Sequence, residues 1–359
     1  MNKRFCVFCG SNQIQKNLEH IIPLWLIELT GDPKRKIKLG FDYRTKKERV
    51  YSFDNFKFPA CEKCNSNYST FEAKSKIVIL KVLSNEPLES HEINLLLDWL
   101  DKVRIGLWLA FNYLDENPYG IDPNFHIADR IGRHDRMLVA YKINDDWKGV
   151  IFQGVNLPDF QYIPSCFMLR INNMYFLNLS YEFLFSARVG FPFPVNRVLA
   201  RDPAFTHLLV HGNMQSGIER YKYPLLRKTL IEPSIKIYQP MIPYDVKGQY
   251  PDYYDNDYVS KYCHDINKGI GRIFIENDCQ TKIMDINIQN ISFNKCLSGS
   301  SKYNDKRLNL QVLNMQEYLR EKIELDTSNL SKKDKDIVKR DMKYAKRFNE
   351  LIRKKIQDH

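Results

Sequence analysis

The chain has 359 residues, enough for two or three domains that each bury a core. Lys and Arg number 54 against 43 Asp and Glu, a formal net charge of +11 that points toward a polyanionic partner and says nothing about fold. No apolar run reaches the roughly 18 residues of a membrane span, and the first residues run directly into a cysteine pair, so neither a membrane helix nor a cleavable leader is expected.

Residues 1–15 read as a short hairpin around Cys6 and Cys9, with Gly10 supplying the turn. Leu18–Leu26 begins as a strand, stops at Pro23, and turns into a short helix carrying Trp25, Leu26 and Leu29. Residues 31–53 are basic and alternating: Lys34, Arg35, Lys36, Lys38, Arg44, Lys46, Lys47 and Arg49 surround Ile37, Leu39, Phe41, Tyr43, Val50 and Tyr51. The pattern suits an exposed hairpin, either merely solvated or in contact with nucleic acid. A helical pattern then runs from about Cys64 to Ser84 and breaks at Glu86 and Pro87.

A second helix, about His91 to Glu116, is apolar on much of its circumference (Leu96, Trp99, Leu100, Val103, Leu107, Trp108, Phe111) and belongs in a core or an oligomer interface. From about 125 to 245 the texture is β-rich. Met137–Ile143, Gly149–Val155, Cys166–Ile171, Met174–Leu179 and Leu208–His211 read as strands, with Asn172 and Asn173 at a tight hairpin turn. Phe185–Val195 reads as an apolar loop, and 246–262 as a polar, tyrosine-rich linker or surface loop. Helices return from about Asn309. Residues 331–359 hold 11 Lys and Arg against 5 Asp and Glu, a solvated face or a second phosphate-contacting surface.

Eight cysteines could form disulfides, but four stand in two CxxC pairs, Cys6/Cys9 and Cys61/Cys64, while Cys166, Cys263, Cys279 and Cys296 are scattered. Paired spacing fits a structural Zn²⁺ closed by four thiolates, in a chain kept in a reducing cytoplasm. Between the pairs lie Glu19 and His20, and Asn65 follows the last cysteine. A phosphodiester is cut when a divalent cation stabilises the leaving oxygen and a base deprotonates water. His20 suits the base, because an imidazole is partly neutral near pH 7. Adjacent strand residues point to opposite faces, so Glu19 and His20 can share a site only through a distorted strand end. Asn65 is placed by the metal-bound thiolates beside it, and Asn55 could orient the imidazole. Glu72 reads as a surface or capping carboxylate, with a third metal ligand as the other reading. His134, His207 and His211 read as structural.

The succession CxxCG, EHIIPxWL, DNF and CxxCN resembles HNH endonucleases of the ββα-metal type, whose zinc-stapled members have a treble-clef shape. The resemblance covers roughly residues 4–75. It implies that His20 is the general base, that Glu19 and Asn65 hold a catalytic Mg²⁺ or Mn²⁺, and that Asn55 orients the base. Glu19 stands where Asp is commoner, and three other features depart from the pattern. The basic hairpin lengthens the gap from His20 to Asn65; Asn55 lies one residue further from the second CxxC than usual, leaving Asn67 as its rival; and Tyr68 stands where Lys is common.

The expected architecture is α+β. A zinc-stapled ββα-metal domain (1–84) precedes an apolar helical connector (85–120), a β-rich α+β domain that could serve as a sensor or partner-binding unit (121–300) and a basic helical tail (301–359). The expected reaction is hydrolysis of nucleic acid, DNA by preference. A homo-oligomer or a partner in anti-phage defence or a mobile element is the expected setting, by analogy alone. A zinc-stabilised protein that only binds nucleic acid or senses a partner is the alternative.

Overall fold

The computed structural model describes residues 5–12, 17–42, 47–114, 123, 125–181, 184–189, 191–201, 206–216, 233–241, 263–265, 270–277, 280–284, 291–322 and 331–358. The expected linker 246–262 lies outside them. The fold is α+β.

The N-terminal part holds β1 (Leu18–His20), α1 (Leu24–Leu29), the hairpin β2 (Lys36–Asp42) and β3 (Lys47–Ser52), β4 (Lys57–Pro59) and helix α2 (Glu62–Leu83). β1 pairs with β4 in antiparallel register, His20 opposite Lys57 and Glu19 opposite Phe58. β2 and β3 pair with a bulge between Lys38 and Phe41. Gly10 has φ +72°, and a Cβ there would lie 2.4 Å from the His126 ring, so the first knuckle needs glycine for both its turn and its packing.

Helix α3 (Ser90–Leu114) is the spine that the other layers share. After it come α4 (Ile127–Arg130), β5 (Arg136–Ile143), β6 (Val150–Gln153), α5 (Pro158–Tyr162), β7 (Cys166–Ile171), β8 (Met174–Leu179) and α6 (Leu184–Val189). A long hairpin, β9 (Pro192–Arg201) and β10 (Thr206–Ser216), precedes β11 (Ile235–Gln239), β12 (Cys263–Asp265), β13 (Ile270–Gly271), β14 (Phe274–Asn277), β15 (Gln280–Ile283) and β16 (Cys296–Leu297). Helices α7 (Ser301–Lys322) and α8 (Lys332–Asp358) complete the order.

The main sheet runs β15-β14-β11-β5-β8-β7-β6, antiparallel throughout, with β16 joined in parallel to the end of β5. β7 and β8 are buried along their whole length. Both faces are covered, so their sequences read as continuous apolar runs rather than alternating ones. One face, with Leu138, Ala140, Leu169 and Phe176, joins a core that runs through α3 to Val7 and Phe8 beside the first knuckle. The other, with Val139, Met168, Tyr175 and Leu177, packs on Leu308, Val312 and Met315 of α7. Asn172 turns the β7–β8 hairpin at φ +51°, as its sequence suggests.

Three expectations need correction. The stretch read as an apolar loop at 185–195 begins as helix α6 and enters β9. Residues 301–322 do not belong to a basic tail: α7 supplies one layer of the core. The N-terminal part does not own a separate core either, because a single apolar cluster joins it to α3 and the sheet.

Candidate functional site

The two CxxC pairs come together. The Sγ atoms of Cys6, Cys9, Cys61 and Cys64 all lie within 4.8 Å of one another, with Cys9 and Cys61 at 3.9 Å. A tetrahedral zinc with Zn–S bonds of about 2.3 Å separates its thiolates by about 3.8 Å, so the group fits. Main-chain N–H groups support the cage: Cys61 N donates to Cys6 Sγ at 3.3 Å, and Cys64 N donates to Cys61 Sγ at 3.4 Å. The latter bond makes Cys61 the N-cap of α2. The first knuckle is also docked on the end of α4, through Ile127 N to Val7 O and Ala128 N to Phe8 O.

His20 ends β1, half-buried and opposite Lys57, at the end of the strand pair away from Cys61. Its imidazole bonds the main-chain carbonyl of Asp54, while its Nε2 is buried without a hydrogen-bond partner. Burial and the nearby Lys57 ammonium push the imidazole below its usual pKa, against the pull of the Asp54 carbonyl. The neutral ring is thereby favoured, with one nitrogen held and the other unengaged. The side chain of Asn55 is exposed on the turn 53–55. Asn67 is exposed as well.

Glu19 is half-buried. Burial pushes its carboxyl up against the pull of Lys102, and the Glu72 carboxylate adds to the push. Asn65 occupies the first turn of α2, its N–H on Cys61 O at 2.8 Å. Seven residues are close to two helical turns, so Asn65 and Glu72 lie on one stripe of α2. Glu19 therefore lies within electrostatic range of Glu72, two turns along α2 from Asn65.

Glu72 is not a surface carboxylate. Its Oε2 accepts from the indoles of Trp25 at 3.2 Å and Trp99 at 3.1 Å, and its Oε1 from Lys102 Nζ at 2.5 Å. Lys102 is fully buried and also donates to the carbonyls of His20 at 3.2 Å and Ile21 at 3.1 Å. Sequence reasoning missed both roles. The available signal was a run of charges, Asp98, Asp101, Lys102 and Arg104, inside an otherwise apolar helix.

Among the basic residues expected to meet nucleic acid, Lys34, Lys36 and Lys38 are exposed. Arg35 serves the fold instead. Its guanidinium donates to Ile27 O and Asp32 O, each at 2.9 Å, and to Thr30 Oγ1 at 2.7 Å, and it lies over the Phe53 ring. Arg49 is half-buried, Lys47 opens β3, and Arg44 and Lys46 lie outside the described residues. On α8, Lys339, Arg340, Lys343, Lys346, Arg347 and Lys354 are exposed, while Arg353 pairs with Glu317 at 2.5 Å.

Among the described residues, no helix is long and apolar enough to cross a membrane. No family model, curated protein or solved structure matches the chain.

Proposed function

We propose that this chain is a metal-dependent endonuclease of the HNH type, with a structural Zn²⁺ in the Cys6, Cys9, Cys61 and Cys64 cage. The observation that carries the reading is the state of His20: one imidazole nitrogen bonds a main-chain carbonyl and the other is buried without a partner, on a strand whose partner β4 leads into the four-cysteine cage. Glu19 and Asn65 supply a carboxylate and an amide oxygen, the hard donors that Mg²⁺ or Mn²⁺ takes. When bound, that cation supplies the positive charge that steadies the leaving oxygen. His20 Nε2 takes the proton from the attacking water, and the Asp54 carbonyl keeps the ring turned for that transfer. Burial of Glu19 and His20 sharpens the electrostatics of both.

The substrate is a nucleic acid, DNA by our reading. The exposed lysines of the hairpin and of α8 suit phosphate contact. Purified zinc-loaded protein incubated with supercoiled plasmid and either Mg²⁺ or Mn²⁺ tests the reading. Nicked and linear product is expected with cation and none without it. Uncut plasmid under both conditions refutes it and favours a zinc module that only binds.

A further inference from the structure

We propose that Lys102 is a positioning residue for the His20 site, acting from a helix outside the unit that carries the site; the inference rests on the nuclease reading above. In a regular strand successive carbonyls point to opposite edges, so a single donor group does not reach two in a row. Lys102 Nζ does reach two in a row, His20 O and Ile21 O. The chain bends at Ile21 and Ile22 and leaves the strand there. The remaining bond of the ammonium goes to Glu72 Oε1, so all three of its donors are used. A buried ammonium is costly unless fully paired, and this pairing fixes the main chain on which His20 sits.

Two further observations place the grip of α3 at this bend. A Cβ on Gly106 would lie 2.6 Å from Ile21 Cγ2, so the helix backbone approaches the bend directly. On its sheet side, α3 is anchored at the same level. Arg104 donates to Asn178 Oδ1 of β8 at 2.7 Å and to Asp101 at 2.8 Å, and Arg136 of β5 pairs with Asp98 and, at 3.7 Å, with Asp101. Neutralising Glu72 alone would need one contact from Lys102. The two carbonyl bonds are what tie the sheet, through α3, to the main chain of the proposed base. The 1–84 unit is therefore not self-sufficient for positioning His20, and residues beyond it take part in the chemistry without touching substrate.

The test uses the full chain loaded with zinc. Lys102→Met is combined with Glu72→Gln so that neither charge is left buried alone, and Gly106→Ala gives a second, independent push on the bend. Plasmid cutting is measured over a Mn²⁺ titration and over plasmid concentration, alongside zinc content and melting temperature. The double variant is expected to lose about 100-fold in kcat with KM for plasmid within about threefold of wild type, at wild-type zinc content. Gly106→Ala is expected to shift kcat in the same direction by a smaller factor. A kcat within about threefold of wild type in both variants overturns the positioning role and leaves the nuclease reading standing. Failure of the wild-type chain to cut with either cation overturns the nuclease reading and this role with it. Should the double variant lack a cooperative melting transition, Gly106→Ala decides alone: a lowered kcat at wild-type melting supports the role, and an unchanged kcat overturns it.

Discussion

The indole nitrogen of Trp25 and the carboxylate of Glu72, 47 positions apart in the chain, are joined by a 3.2 Å hydrogen bond. The bond ties the helix that follows His20 to the helix that follows the second cysteine pair. Trp25→Phe should keep most of the apolar contact and remove the donor, leaving Glu72 with Trp99 and Lys102. The expected loss is about 1–2 kcal/mol of stability in urea unfolding, with zinc content unchanged. A stability equal to wild type would mean that this bond contributes nothing to the layer.

The cage adjoins the shared core: Cys6 lies in it, Cys61 and Cys64 pack against it, and Cys9 is exposed. Cys6 and the neighbouring Val7 and Phe8 belong to the apolar cluster that continues through α3 into the sheet. Purified protein should therefore carry one zinc per chain by elemental analysis, and stripping it with a chelator should lower the melting temperature of the whole chain. Cys61→Ser should have the same effect. Cys166→Ser, a buried change on β7, should leave zinc content untouched.

Much of this layout is legible in the sequence where the signal is local. The CxxC spacing announces a four-cysteine cage, and Cys166–Ile171 and Met174–Leu179 have the bounds that their apolar runs indicate. What escapes is set by tertiary partners. Arg35 looks like any other residue of a basic hairpin until Ile27, Thr30 and Phe53 surround it. Glu72 looks like a surface carboxylate until two indoles and an ammonium from distant segments reach it. The group that bonds the His20 imidazole is the main-chain carbonyl of Asp54, which no side-chain motif can specify. Helix α7 is mostly polar in sequence, and only the second face of the sheet makes its sparse Leu308, Val312 and Met315 a core layer.

A second buried pair allows a pH test. Asp159 on α5 accepts from Arg320 of α7 at 2.9 and 2.7 Å and from Asn349 of α8 at 2.7 Å. Burial still pushes its carboxyl above the usual range. A carboxyl raised on folding costs stability above its folded pKa, and the cost fades as pH falls and the group protonates. Arg320→Met should enlarge that cost to about 3 kcal/mol near pH 7. The gap between variant and wild type should narrow steadily toward pH 4 in denaturant melts. A gap independent of pH would point to lost packing instead.

The exposed lysines of the hairpin make a quantitative prediction on salt. Replacing Lys34, Lys36 and Lys38 together with Gln should weaken plasmid binding and make the slope of log K against log salt shallower by about two to three. An unchanged slope would remove the hairpin from the nucleic-acid interface and leave α8 as the phosphate-contacting surface.

The most direct measurement is plasmid cutting by His20→Ala beside wild type, in Mn²⁺, with zinc content and melting temperature taken on the same samples. Loss of cutting in a variant that keeps its zinc and its melting transition is the predicted result. Cutting at the wild-type rate would show that His20 is not the group that activates water.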